Sequence, residues 1–240
     1  MRFLTAFFAL VVSVTPFAVA AEPCRLALVL ALDVSGSVNE EEYAQQLNGL
    51  AQALDSPDVR KAVLSGAAAP VKVAIFEWSS RNHQFLVQPW ITLDSHAAVD
   101  QAVARVLGYR KQRAGLKTAM STALLYATEL LRQQSHCWQH TIDVSGDGEN
   151  NIGPSLEAVF RSDGFVDVTI NALVVGEPDT ETPKQIAKKT ELLRYFEQQV
   201  IRGRGSFAMI AHGYRDYSRA MKRKLVREIS APIVGEAKRP

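Results

Sequence analysis

The sequence is short of several things that would declare a function outright. Charge is nearly balanced, with 27 Lys and Arg against 25 Asp and Glu in 240 residues, so nothing points to nucleic acid or to an acidic membrane surface. There are five histidines, His83, His96, His136, His140 and His212, and they show no zinc spacing. No G-x-S-x-G elbow surrounds Ser145, and the loop after Asp33 carries Val38 where an EF-hand needs glycine. The run Gly203 to Ala208 fits G-x-G-x-x-A, but it precedes a strand instead of following the first one, which removes the dinucleotide reading. Cysteine is scarce too: Cys24 and Cys137 are the only two.

What is present begins with a leader. Met1 to Ala21 has one early Arg2, an apolar run from Phe3 to Val14, Thr15-Pro16, and then the small residues Ala18-Val19-Ala20. This is the pattern of a secretory signal peptide over 1–20 with cleavage near Ala20, the alternative being an uncleaved anchor. The expectation is a periplasmic or secreted protein that is not membrane-embedded once cleaved. Two cysteines in an exported chain invite a disulfide. Cys24 precedes the first core strand and Cys137 precedes the apolar run His140 to Ser145. If those strands are parallel neighbours, both sulfurs lie at one end of the sheet and a bond fits; otherwise they are separate buried thiols.

The remaining length suits one α/β domain over 24–230, followed by an aperiodic tail at 231–240. Leu26 to Asp33 reads as a strand buried on both faces, and Asn39 caps a helix running to Leu54. Ser56-Pro57 stops that helix and a short one reaches Leu64. Val71 to Trp78 and Gln84 to Ile91 form an antiparallel edge hairpin, since the turn between them is too short for a parallel crossover. Asp94 caps the next helix. A helix from Thr118 to Leu131, a strand from Trp138 to Val144, and a short helix at Ser155 to Arg161 follow. The chain ends with a strand at Val166 to Val175, a helix at Pro183 to Gln199, a strand at Phe207 to Ala211, and a final helix to Ile229. Strands alternating with helices in this rhythm predict a three-layer, doubly wound, mostly parallel sheet. The basic residues from Arg219 to Arg227 read as a solvated helix face, Trp78 as a core residue, and Glu77 as a possible liner of the crevice.

Three segments carry the candidate chemistry. Asp33, Ser35 and Ser37 place oxygen ligands at alternate positions where the first strand ends, Asp147-Gly148 follows a later strand, and Thr118 opens a helix facing the same edge. Each alone reads as a cap or a turn. Together they put hard-oxygen donors in the crevice where ligands bind in such sheets. Asn150 and Asn151 read as residues that tie the loop by side-chain hydrogen bonds.

These residues resemble the metal-ion-dependent adhesion site of von Willebrand factor A domains. Beyond that, LALVLALDVSGSV, VAIFEWSS, IDVSGDGENN and the region of Tyr195, Val200-Ile201 and Gly205 to Phe207 resemble an exported bacterial group with this fold (DUF1194-type). The resemblance implies strand order 3-2-1-4-5-6 with one antiparallel edge strand, which supports the Cys24–Cys137 disulfide. It implies that Asp33, Ser35, Ser37, Thr118 and Asp147 hold Mg²⁺, or Mn²⁺ or Ca²⁺, and that the ion captures a carboxylate of a protein partner. Lys117 departs from the glycines usual before the threonine, and Met120 and Ser121 from the small residues usual after it, which leaves Ser121 or Thr122 as alternatives to Thr118. The function implied is an exported binding module and not an enzyme; the alternatives are a hydrolase using metal-bound water, or a scaffold with a vestigial site.

Overall fold

The six strands lie in one sheet in the order β3-β2-β1-β4-β5-β6, described by a computed structural model for residues 23–66, 68–112, 115–176 and 182–230. The expected leader at 1–20 and the expected tail at 231–240 lie outside the described residues. The strands are β1 (Leu26–Asp33), β2 (Val71–Trp78), β3 (Gln84–Leu93), β4 (His140–Gly146), β5 (Val168–Val175) and β6 (Ala208–Ala211). Only β2 and β3 pair antiparallel; every other neighbour is parallel.

Every residue of β1 is buried, because helices cover both faces of the sheet. Leu26, Leu28, Leu30 and Leu32 enter the core shared with α1 (Glu40–Asp55), α2 (Pro57–Leu64), α3 (His96–Leu107) and α7 (Tyr217–Ile229). Ala27, Val29 and Ala31 face the opposite core, with α4 (Met120–Arg132), the single turn α5 (Leu156–Val159), and residues just beyond α6 (Pro183–Tyr195). The period-2 alternation of a strand thus divides one apolar run between two layers.

Local chemistry sets the boundaries. Asn39 and Glu42 form a reciprocal capping box on α1, placing the chain's turn into the helix directly after the Ser35–Ser37 loop. Ser95, not Asp94, caps α3, since its hydroxyl accepts the Ala98 N–H. β5 begins at Val168 and not at Val166 because Asp167 has φ 57°, a left-handed conformation that interrupts a strand. β4 begins at His140: Trp138 donates its N–H to the Cys24 carbonyl at 2.9 Å, but its side chain is exposed. The helix expected to run to Gln199 instead widens into a π turn at Phe196–Val200, closed by the Ile201 N–H on the Phe196 carbonyl. That turn buries both Phe196 and Val200.

Cys24 and Cys137 are joined by a disulfide. It links the chain just before β1 to the chain before β4, at the amino ends of two neighbouring strands. Lys224 corrects the reading of the Arg219–Arg227 cluster. It is fully buried on α7, 2.7 Å from Asp143 Oδ1 of β4 and donating to Glu228 Oε1 at 2.6 Å, a carboxylate that also accepts from Asn171. Burial and the Glu228 charge push Asp143 up to about 7.

Candidate metal centre

The parallel register brings the carboxyl ends of β1 and β4 side by side, with Leu32 opposite Ser145. Asp33 is the last residue of β1, and Asp147 follows the last residue of β4. Ser35 and Ser37 lie in the loop to α1, and Thr118 precedes α4 by two residues. The five side chains converge. Ser37 donates its hydroxyl to Asp147 Oδ1 at 2.7 Å, Thr118 donates to Ser35 Oγ at 3.3 Å, and the Ser35 and Ser37 oxygens are 3.4 Å apart.

Each loop is held by specific bonds. Asp33 Oδ1 accepts the Ser35 N–H at 2.8 Å, which folds the first loop back onto the strand end. Gly36 is required there by close approach: a Cβ would stand 2.9 Å from the Leu116 carbonyl oxygen and 3.0 Å from Leu116 Cα. The Thr118 segment is pinned from two sides. Ala119 donates its N–H to the Ser79 carbonyl at 2.7 Å beyond the end of β2, and Thr118 donates its own to Asn151 Oδ1 at 2.9 Å. Asn150 Oδ1 accepts the Ser121 N–H, so both asparagines tie the loop as expected. Of the alternatives to Thr118, Thr122 gives its hydroxyl to the Ala119 carbonyl, and Thr118 is the one that reaches Ser35. Lys117 is exposed, while Met120 is buried in the core on the α4 face.

The electrostatics are unusual for so small a group. Asp33 is 0 % exposed, and its Oδ2 meets no hydrogen-bond donor among the described residues. Burial and the nearby charge of Asp147 push its carboxyl up to about 7, against the pull of the Ser35 N–H. Burial also raises Asp147, opposed by the Ser37 hydroxyl. One buried and one half-buried acid beside three neutral hydroxyls fit a divalent cation that prefers oxygen. Glu77 does not line the crevice: it is fully buried, accepting from the Tyr43 hydroxyl at 2.9 Å and from the Gln112 N–H at 3.0 Å. Cys24, His136 and Cys137 each bring one ligand atom within 4.8 Å of the others, but the two sulfurs are bonded to each other.

Three aromatic residues support the site, of which only Tyr195 lies in a segment that the resemblance singled out. Tyr214, just before α7, packs its buried ring with its hydroxyl toward Asp147 and Asp33, whose charges, together with burial, push the phenol up. The Tyr195 hydroxyl accepts the Asn150 N–H at 3.0 Å. Phe196 lies 3.4 Å from where a Cβ on Gly146 would sit, and Asp33 Oδ2 lies 3.2 Å from the same point, so only glycine fits there without displacement.

Solved structures with the same fold include proximal thread matrix protein 1 from the mussel byssus (TM-score 0.58, 15 % identity), covering 87 % of this chain and 48 % of that one. A second structure of that protein, described with a zinc-occupied MIDAS motif, aligns at TM-score 0.57 with 15 % identity, over 88 % of this chain and 49 % of that one. A von Willebrand factor type A structure from Catenulispora acidiphila aligns at 0.55 and 15 % identity, over 86 % and 43 %. The chain therefore spans less than half the length of these structures. No curated protein matches the sequence. The family described as Protein of unknown function (DUF1194) matches residues 23–233. The chain belongs to that family, and its fold is that of von Willebrand factor A domains.

Proposed function

We propose that this protein is an exported, metal-dependent binding module. Asp33, Ser35, Ser37, Thr118 and Asp147 hold one divalent cation, Mg²⁺ by preference with Mn²⁺ or Ca²⁺ as substitutes, and the ion captures a carboxylate on a protein partner. The observation that carries this reading is the Asp33 carboxylate: fully buried, lacking a donor on Oδ2, and set beside a second acid. Such a pair is costly without a cation. The zinc-occupied motif in the byssal protein of the same fold supports the choice of a metal.

When bound, the ion supplies an electrophilic centre with room for one acidic group, because only two carboxylates offset its charge. The chain's own residues do the rest. Asp33 and Asp147 neutralise, the three hydroxyls fill oxygen positions without adding charge, and the Asn151–Thr118 and Ser35–Asp33 bonds fix the ligands on three separate loops. The Asp147 carboxylate already accepts the Ser37 hydroxyl, which suits a ligand role better than that of a general base.

Calorimetric titration with Mg²⁺ and Mn²⁺ tests the reading. We expect one site per chain, and an increase in melting temperature that chelator reverses and Asp33→Ala abolishes. Identical melting with metal and with chelator, in both proteins, refutes it. Metal-dependent turnover of phosphoester or peptide substrates, lost in Asp33→Ala, would instead favour the hydrolase.

A further inference from the structure

A cavity of about 560 Å³ with charged side chains in its wall opens beside the candidate metal centre, with Ser37 and Asp147 among its walls. It lies between the first turns of α1, the ends of β5 and β6, and α6. Volumes of this order hold a small ligand or a few residues of a peptide. The acids in its wall serve α1: Glu42 Oε2 accepts the Asn39 N–H and Glu41 Oε1 accepts from Gln45, both at 3.0 Å. The cations come from the opposite side. Lys188 and Lys189 project from α6, Lys189 with its ammonium 3.4 Å from His212 Nδ1, and Arg215 from the turn after β6. Arg215 is 85 % exposed in its side chain and stands 4.0 Å from Glu41, a loose pairing. Lys188 and Asp147 line the same cavity.

Resting on the metal-dependent reading above, we infer that this cavity receives a second acidic group of the same ligand. The ligand is then a segment carrying two carboxylates, one bound at the cation and the other turned toward Arg215 and the lysines of α6. The cavity lies on the β5–β6 side of the centre, which gives the ligand a direction. The Thr118 loop closes the other side, where Gly115 donates its N–H to Ser79 Oγ past the end of β2.

Fluorescence anisotropy with two labelled peptides tests this: Leu-Gly-Asp-Gly-Gly and Leu-Gly-Asp-Gly-Asp, at physiological salt with Mn²⁺ or with chelator. The two-acid peptide should bind about fivefold more tightly than the one-acid peptide, the scale of one partly exposed ion pair. Arg215→Glu combined with Lys188→Glu should remove that advantage, with an unaltered melting curve showing that the fold is intact. Competition by free glutarate distinguishes a small dicarboxylate from a peptide as the source of the same chemistry. Equal affinities for the two peptides, or an advantage that survives the double reversal, overturn the second subsite and leave the metal centre standing. If Mn²⁺ raises the melting temperature but neither peptide binds, the subsite is again overturned. If Mn²⁺ has no effect on melting, it is the metal reading itself that has failed.

Discussion

Replacing Asp33 with asparagine should stabilise the metal-free protein at high pH and abolish its response to metal, a reversal that few roles other than ion binding would produce. The carboxyl titrates near 7 in the folded chain, against an ordinary 3.8. The folded state therefore holds more protons than the unfolded one between those values, and this group's contribution to stability is lost as pH rises from about 4 through about 7. At about 1.36 kcal/mol per pH unit the ionised, metal-free Asp33 costs up to about 4 kcal/mol at pH 8. Solvent reaching the carboxylate reduces that figure, so it is an upper bound. Asparagine keeps the acceptor for the Ser35 N–H and removes the charge. In chelator at pH 8 the Asp33→Asn variant should melt above wild type by as much as about 8–16 °C for a chain of this size. At pH 4.5 the two should nearly coincide. With saturating Mn²⁺ at pH 8 wild type rises while the variant stays where it was. Because the ion must displace a proton, apparent affinity should fall about tenfold per pH unit below 7. Scanning calorimetry over pH 4.5–8 with and without metal reads all of this. An Asp33→Asn variant that melts below wild type in chelator at pH 8, or a metal affinity equal at pH 5.5 and pH 8, would refute the reasoning.

Gly36→Ala pushes a Cβ into the Leu116 backbone and should cost about 1–3 kcal/mol, with weaker Mn²⁺ binding by titration; an unchanged affinity would mean that the loop yields freely. Breaking the disulfide with Cys24→Ser and Cys137→Ser frees a link across 113 residues and should cost about 3–5 kcal/mol in thermal denaturation. Metal titration of that variant should match wild type, because the bond lies at the far end of the strands. Lys224→Met leaves Asp143 and Glu228 buried without their cation and should cost about 3–5 kcal/mol by urea denaturation; a neutral result would show that the cation does not offset the buried charge.

Most element boundaries were legible because the signals are local and redundant, whereas the order of the strands came through the resemblance. LALVLALD reads as a strand covered on both faces, and Asn39 reads as the cap of the helix that follows it. The three metal-motif segments were legible only jointly, through resemblance, since no rule of spacing connects Asp33 to Thr118 or Asp147. What stayed hidden depends on contacts between distant segments. Lys224 lies on the same helical stripe as Ala220, Met221 and Glu228, and an aspartate embedded in HTIDV asks for a partner, yet nothing in either segment names the other. Tyr214 and Phe196 were equally silent, because their role is set by where α7 and the π turn come to rest against β4. The cavity beside the centre belongs to the same class, being made of three elements that meet only in the folded chain.

The disulfide has a mechanical consequence. β1 is anchored covalently at Cys24 and ends at Asp33, and its parallel neighbour β4 is anchored at Cys137 and ends next to Asp147. A partner pulling on the crevice draws both strands along their own length, toward the end opposite their shared anchor. The hydrogen bonds flanking them are then loaded in shear and all at once, not peeled apart one by one. A tether at the amino end of β1 would pass tension straight through the central pair of strands and spare the helices.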